Sequence, residues 1–256
     1  MAQGEGTVST AMLSAPPPVG LFDALSGAID FIFNPREAVG GGVQVGGLEQ
    51  CWELMWTQIQ ISALALAIAM LIAMPIGLYL GHRGTGELLA VAVGNAGRAI
   101  PELALIAFMA AFIGLGTLNV ALALMILGIP PILTNTFVGM RQVDRGAVEA
   151  ARGMGMGEFA VVRKVELPLA VPTIMGGVRT AAINIVATAT IAPLAGVLTL
   201  GDFIINVNVY GDDGVLAGAI LVALLALAVE LLLAGVQRVL TPRGLRVERR
   251  AARSAA

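Results

Sequence analysis

EAARGMGMGEFAVVRKVELP, Glu149 to Pro168, is the longest charge-rich run between two very apolar blocks of this 256-residue chain. Asp144, just upstream, is placed to cap a short helix. Val143 and Val148 then stand at N′ and N4, the positions of a hydrophobic staple. Ala147, Val148, Ala150 and Ala151 give one helical turn of small side chains, a smooth surface for a partner's groove. Gly153, Gly155 and Gly157 end that helix and permit a sharp change of direction. Phe159, Val162 and Val165 make an apolar face on a second short helix, which Leu167-Pro168 is expected to terminate.

The blocks on either side decide the solvent. Hydrophobic residues make up 57% of the chain and charged residues 12%, with mean hydropathy +0.88. Soluble domains carry roughly 25% charged residues. A chain with half that charge is expected to sit in lipid, which tolerates an apolar exterior. With a single cysteine, Cys51, an intramolecular disulfide is excluded. One cysteine and one histidine, His82, give no basis for a metal site. The sequence lacks a GxxxxGKS or GxxxxGKT loop, so this chain is not expected to bind ATP itself.

Residues 1–19 are rich in Gly, Ser, Thr, Ala and Pro and read as a disordered tail. They lack the basic start and compact apolar run of a signal peptide. Residues 20–33 have helical periodicity but are too short to span. They fit an interfacial helix or a helix buried on the bundle's flank. Asn34-Pro35 ends it, and the glycines from Gly40 to Gly47 read as a loop. Residues 20–56 thus form an extracytoplasmic or interfacial segment, closing with Trp52 and Trp56 at the membrane interface.

Residues 57–240 hold about five membrane-spanning helices. The first runs from about Ile59 to Leu80, with Pro75 as a kink. Leu88 to Val138 holds two spans joined at Gly114-Leu115-Gly116-Thr117, because a span takes about 20 residues at 1.5 Å each. The fourth lies near Pro172–Val197 and the fifth from about Val215 to Leu240, with a polar turn at 198–213 between them. Basic residues mark the cytoplasmic side: Arg83, then Arg141, Arg145, Arg152, Arg163 and Lys164, then Arg238 and the arginines of the 241–256 tail. Only Arg36 falls in the outer segments. The N-terminus is therefore expected outside, and the C-terminus and the 149–168 loop in the cytoplasm.

The loop also carries a family signature. Glu149-Ala150-Ala151, Gly155, Val165 and Leu167-Pro168 resemble, at fixed spacing, the membrane subunits of binding-protein-dependent type I ABC importers, with Val165 where Ile is frequent. The resemblance covers about residues 57–240, and the five-span layout is similar to the methionine-importer-like permease core. IPPILTNTFVGMRQVD (Ile129 to Asp144), VEAARGMGM (Val148 to Met156), VELPLAVPTIMGGVRTA (Val165 to Ala181) and VATATIAPLAG (Val186 to Gly196) look like the osmoprotectant branch, which takes glycine betaine, carnitine, choline or proline. The resemblance implies a multi-pass subunit of the cell (inner) membrane. Its partners would be a cytoplasmic ATPase dimer that holds ATP and magnesium, an extracytoplasmic solute-binding protein, and a second permease copy or a sister permease. It also implies that Glu149 and the small residues after it dock in the ATPase.

Polar residues inside the spans are candidates for the path. Arg98 and Glu102 are four apart on an expected single helix, where they could pair, though Pro101 disturbs that turn. They read either as lining a translocation path or gate, or as a lock between spans; the family usually has a small or neutral residue near Glu102. Asn184 and Thr188 share a helix face and could meet solute or bond to neighbouring helices. Arg179 is expected to close the inner mouth or pair with the loop, and Glu230 to serve helix packing. Quaternary ammonium groups are held tightly by aromatic cages. The spans have no aromatic cluster, so selection is expected on the external binding protein. Two other readings stay open: a permease for a different small solute such as an amino acid, and a proton-coupled secondary carrier. A membrane enzyme finds no catalytic constellation.

Overall fold

The structure, a computed structural model, describes residues 20–242. The expected tail at 1–19 and all but the start of the basic tail lie outside the described residues. The chain forms α1 (Leu21–Phe33), a hairpin of β1 (Pro35–Glu37) and β2 (Gln44–Gly46), then α2 (Gly47–Arg83), α3 (Glu87–Ala99), α4 (Glu102–Ile113) and α5 (Thr117–Arg141). The loop region holds α6 (Arg145–Gly153) and α7 (Glu158–Val161), and α8 (Leu167–Thr188), α9 (Gly201–Ile205) and α10 (Val207–Leu240) follow. Among the described residues four helical stretches are long and apolar enough to cross a membrane: Gly47–Arg83, Thr117–Arg141, Glu158–Ala195 and Val207–Leu240. The pair α3 and α4 makes a fifth if taken as one broken span. The mostly helical, four- to five-span architecture is the one expected.

The bundle centre is α2, α5 and α8. On α2 the residues Ala65, Ala69, Ala73, Gly77 and Gly81 recur every four positions, and all are buried. Such a stripe lets two backbones approach closely where lipid offers no hydrophobic drive between helices. A Cβ on Gly77 would meet Thr136 Cβ at 2.7 Å, and one on Gly81 would meet Met140 Cβ at 2.5 Å. Gln58, fully buried, ties three elements together. Its amide donates to Val186 O at 2.9 Å and its oxygen accepts from Leu200 N at 3.1 Å.

Several expectations need correction. The first long helix begins at Gly47, three turns before the apolar run, and continues through Pro75. Trp52 and Trp56 therefore stand on α2 itself, exposed and stacked at 6.0 Å. The glycine-rich segment after Asn34 is not simply a loop. It closes an antiparallel hairpin pairing Pro35 with Gly46 and Glu37 with Gln44.

Residues 198–213 are not a polar turn either. Asp202 is buried, and it accepts from the exposed Asn206 through Nδ2 at 2.7 Å and from the Tyr210 hydroxyl. The bond count explains this, because a buried carboxylate needs partners.

Of the two readings of 20–33, the flank is occupied: Ala28 and Phe31 are fully buried on α1. Phe31 meets Phe203 edge-on at 5.1 Å and Tyr210 at 6.2 Å, and Phe203 meets Tyr210 at 4.9 Å. Arg36 Nη1 bonds Asp213 Oδ2 at 2.7 Å and lies 4.9 Å over the Phe31 ring. The opposite face of α1 exposes Phe22, Ile29 and Phe33, and Leu21 is exposed at the helix start.

Candidate functional site: the coupling loop and the path

The loop begins as local chemistry dictates. Asp144 is the N-cap of α6, accepting from Gly146 N and Ala147 N at 3.2 Å each. This satisfies two of the amides that a helix start leaves unpaired. Val143 and Val148 are both buried, in the same cluster, as the staple requires. Gly155 takes φ +82°, a left-handed conformation that favours glycine, and its amide donates to Arg152 O. The motif glycine is thus the hinge between α6 and α7.

The loop's faces differ from expectation. Val148 and Ala151 point into the body of the protein, in a cluster with Met140, Val161 and Ile174. They anchor α6 and cannot form the partner-facing surface. Glu149 and Ala150 are exposed on the other side, with Met154 and Phe159 also exposed, at 72% and 77%. Phe159 is accordingly separated from Val162 and Val165, which pack on the loop's core. The 3.6-residue period makes one short helix two-faced, so small size alone does not identify the docking side.

Leu167-Pro168 does not stop the second helix. α7 runs through a π-helical turn, Val162–Glu166, straight into α8. A π turn shifts the hydrogen-bond register by one residue, directly before a proline that lacks a donor. Helix is thereby continuous from the loop to the bundle core.

Two ionic groups went unforeseen. At the loop, His82 near the end of α2 meets Glu166 through Nδ1 at 2.7 Å and Glu158 through Nε2 at 3.1 Å. Glu158 also accepts from Arg152 Nη2 at 2.9 Å. That hydrogen bond pushes the Arg152 guanidinium above its ordinary value. Within the bundle, Arg179 bonds both carboxylate oxygens of Glu230, and its Nη1 donates to Gln237 Oε1 at 2.7 Å. Gln237 Nε2 in turn donates to Pro172 O at 2.9 Å. Arg179 therefore pairs with α10, not with the loop. A lone acid and a lone base in neighbouring apolar stretches were a readable signal, because intramembrane charges seek each other.

The path residues divide. A cavity of about 340 Å³ is lined by Glu102, Asn184, Thr134, Asn135 and Thr180, with Gly94, Gly97 and Pro130 on its wall. A Cβ on Gly97 would lie 2.2 Å from Pro130 Cγ, so α3 touches α5 there. Asn135 Nδ2 donates to Pro131 O at 2.8 Å.

Thr188 is buried and is not among the lining residues. Four residues of helix turn by about 400°, so Thr188 is offset from Asn184 by enough to enter the interior. Arg98 and Glu102 are not on one helix. α3 ends at Ala99, Ile100 and Pro101 are extended, and α4 leaves at 92° to α3. Proline disfavours helical geometry at the residue before it, here Ile100. Glu102 lines the cavity; the Arg98 side chain lies outside the described residues.

A bundle of apolar helices with a polar-lined cavity among α3, α4, α5 and α8, and a capped short helix at one end, is the architecture of a membrane transport subunit. Residues 73–245 match the family described as binding-protein-dependent transport system inner membrane component. The chain belongs to this family. It is 40% identical over 203 residues to the carnitine transport permease protein OpuCB of Listeria monocytogenes, covering 79% of this chain and 91% of that one. It is 37% identical to the choline transport system permease protein OpuBB of Bacillus subtilis, covering 74% and 88%. The osmoprotectant import permease protein OsmW of Salmonella typhimurium is 33% identical, over 75% and 93%.

Among solved structures, an inward-facing MetNI methionine ABC transporter superposes with TM-score 0.66 at 21% identity, covering 76% of this chain and 98% of that one. An amino acid ABC transporter superposes at 0.57 and 19%, covering 75% and 94%. These two speak to the fold alone.

Proposed function

We propose that this chain is the permease subunit of an ATP-driven importer for compatible solutes such as glycine betaine, choline or carnitine. The observation that carries the reading is the capped helix α6, which presents Glu149 and Ala150 outward in a chain whose relatives are named as carnitine, choline and osmoprotectant permeases. A cytoplasmic ATPase dimer, holding ATP and magnesium, takes this surface and moves α6. Continuous helix from α7 into α8 carries that movement to the cavity. Glu149, Ala150 and Gly155 act at the contact and hinge, Ala151 and Val165 anchor the lever, and Leu167-Pro168 join it to the bundle.

Residues 57–240 form the permease domain in the cell membrane, with the N-terminus outside and the C-terminus in the cytoplasm. A binding protein delivers solute to the outer side, and a second copy or sister permease completes the pore. The cavity's lining includes no aromatic residue among the described ones, which suits a permissive path with selection outside it.

The test is uptake of labelled glycine betaine, choline and carnitine by proteoliposomes holding the permease with its ATPase and binding protein. Uptake that requires ATP is expected. Uptake driven by a proton gradient without the ATPase, or uptake of an amino acid alone, would overturn the reading.

A further inference from the structure

The loop is joined covalently to α5 and α8, but α2 is not its neighbour in sequence. Yet α2, with its small-residue stripe, packs at the centre of the bundle. Its end meets the loop at His82. The imidazole there has carboxylates on both sides: Glu166 Oε2 at 2.7 Å from Nδ1 and Glu158 Oε2 at 3.1 Å from Nε2. Glu166 belongs to the π turn before α8, and its side chain is only 4% exposed. A buried carboxylate is costly unless hydrogen-bonded, and the partner found for it among the described residues is His82. Glu158 starts α7 and is bonded in turn to Arg152 near the end of α6. One ring thus touches the turn before α8 and the start of α7, and reaches α6 through one further side chain. Nothing in the helix packing requires a polar ring here, since Gly81 beside it already seats α2 against Met140.

We propose that His82 is a transmission pin: a positioning residue that makes α2 follow the coupling loop when the ATPase moves it. The idea rests on the loop being the motor contact. A histidine suits the role because its planar ring has two nitrogens on different edges, so it can bridge two carboxylates. Without it α7 and α8 still move together through continuous helix, and α6 follows through the Gly155 turn and its buried face, while the loop end of α2 is left to packing alone.

The test uses the assembled complex with its ATPase and binding protein. For His82→Ala, ATPase association and hydrolysis are expected to stay near wild type, while solute taken up per ATP falls by about tenfold, the scale of one charged hydrogen bond. Glu158→Ala, at an exposed site that does not threaten folding, is expected to shift the same ratio less. The double variant is expected to lose no more than His82→Ala, because both changes cut one linkage. Unchanged ratios, additive losses, or a His82→Ala permease that no longer binds its ATPase would overturn the proposal.

A second readout needs no solute. Spin labels at positions 83 and 145, on a Cys51→Ala background, are expected to keep one distance through the ATP cycle in the otherwise wild-type chain. The distance is expected to spread in His82→Ala; an equally constant distance in both would also overturn the pin. Wild-type complexes that hold this distance but import none of the three solutes would count against the proposed solutes and leave the pin standing.

Discussion

The two ends of the bundle are fastened by different chemistry. At the loop end, α2, α6, α7 and the turn before α8 meet through His82, Glu158, Glu166 and Arg152. At the hairpin end, α1, α9 and α10 meet through three mutually edge-on rings, Phe31, Phe203 and Tyr210, with Arg36 closing over them onto Asp213. Aromatic burial is strong but short-ranged, so it holds a cap in one place. Charge-assisted hydrogen bonds are short, strong and directional, so they tie elements that share no sequence continuity. The hairpin end is built as a seal and the loop end as a joint.

Replacing Glu149, which is outside both fastenings, should produce the largest effect. Glu149→Lys puts a cation where the proposed ATPase contact needs an anion. ATPase association is expected to weaken by at least about 30-fold, the lower range for losing one side of an interfacial charge pair, and ATP-driven uptake to vanish. Pull-down from membranes and uptake measure the two separately. Normal uptake would remove the joint's motor contact from the comparison altogether.

Phe31→Ala attacks the seal. It empties a fully buried ring site and should cost about 3–5 kcal/mol, read as a lower melting temperature and faster proteolysis of residues 20–46 in detergent. Solute per ATP in surviving complexes should stay unchanged. If coupling fell as well, the two ends would not be independent.

Arg179 and Glu230 test a third kind of fastening, inside the bundle. Arg179→Ala leaves Glu230 without its main partner inside the spans and should cost about 3 kcal/mol, the lower range for breaking a buried pair. Arg179→Met with Glu230→Leu should recover most of it. A double variant as unstable as the single would mean the charges do more than satisfy each other.

How much of this could be read beforehand depended on the range of the interaction. The α6 cap, staple and glycine hinge act within a few residues, from Val143 to Gly155, and sequence spacing located them. The hydropathy of α2, α5, α8 and α10 marked the spans for the same reason. What was missed lies far apart in the chain: His82 is 84 residues from Glu166, and Arg179 is 51 from Glu230. No periodicity links such pairs; only the helix packing brings them together. The break between α3 and α4 was half visible. Pro101 signalled a disturbed turn, but the apolar run on both sides favoured one helix, and the extended Ile100 set Glu102 on the cavity wall while separating it from α3. Which face of α6 is exposed could not be read from its small residues, because composition does not record which of them the core takes.

The smallest expected effect is at the start of the joint. Asp144→Ala removes the acceptor for Gly146 N and Ala147 N and should cost about 1 kcal/mol. Asp144→Asn, which keeps an acceptor oxygen, should cost less. Global melting will barely register the change, because α6 is short and the bundle core is untouched. Hydrogen exchange at Gly146 and Ala147 should accelerate in Asp144→Ala, while amides in α1 and the hairpin should not change. A lever frayed at its first turn should still bind the ATPase through Glu149 but transmit less of its movement, so solute per ATP should fall before ATPase association does. The reverse order would mean that α6 serves as a binding surface only, and that the rigidity given by Asp144, Val143 and Val148 has no part in coupling.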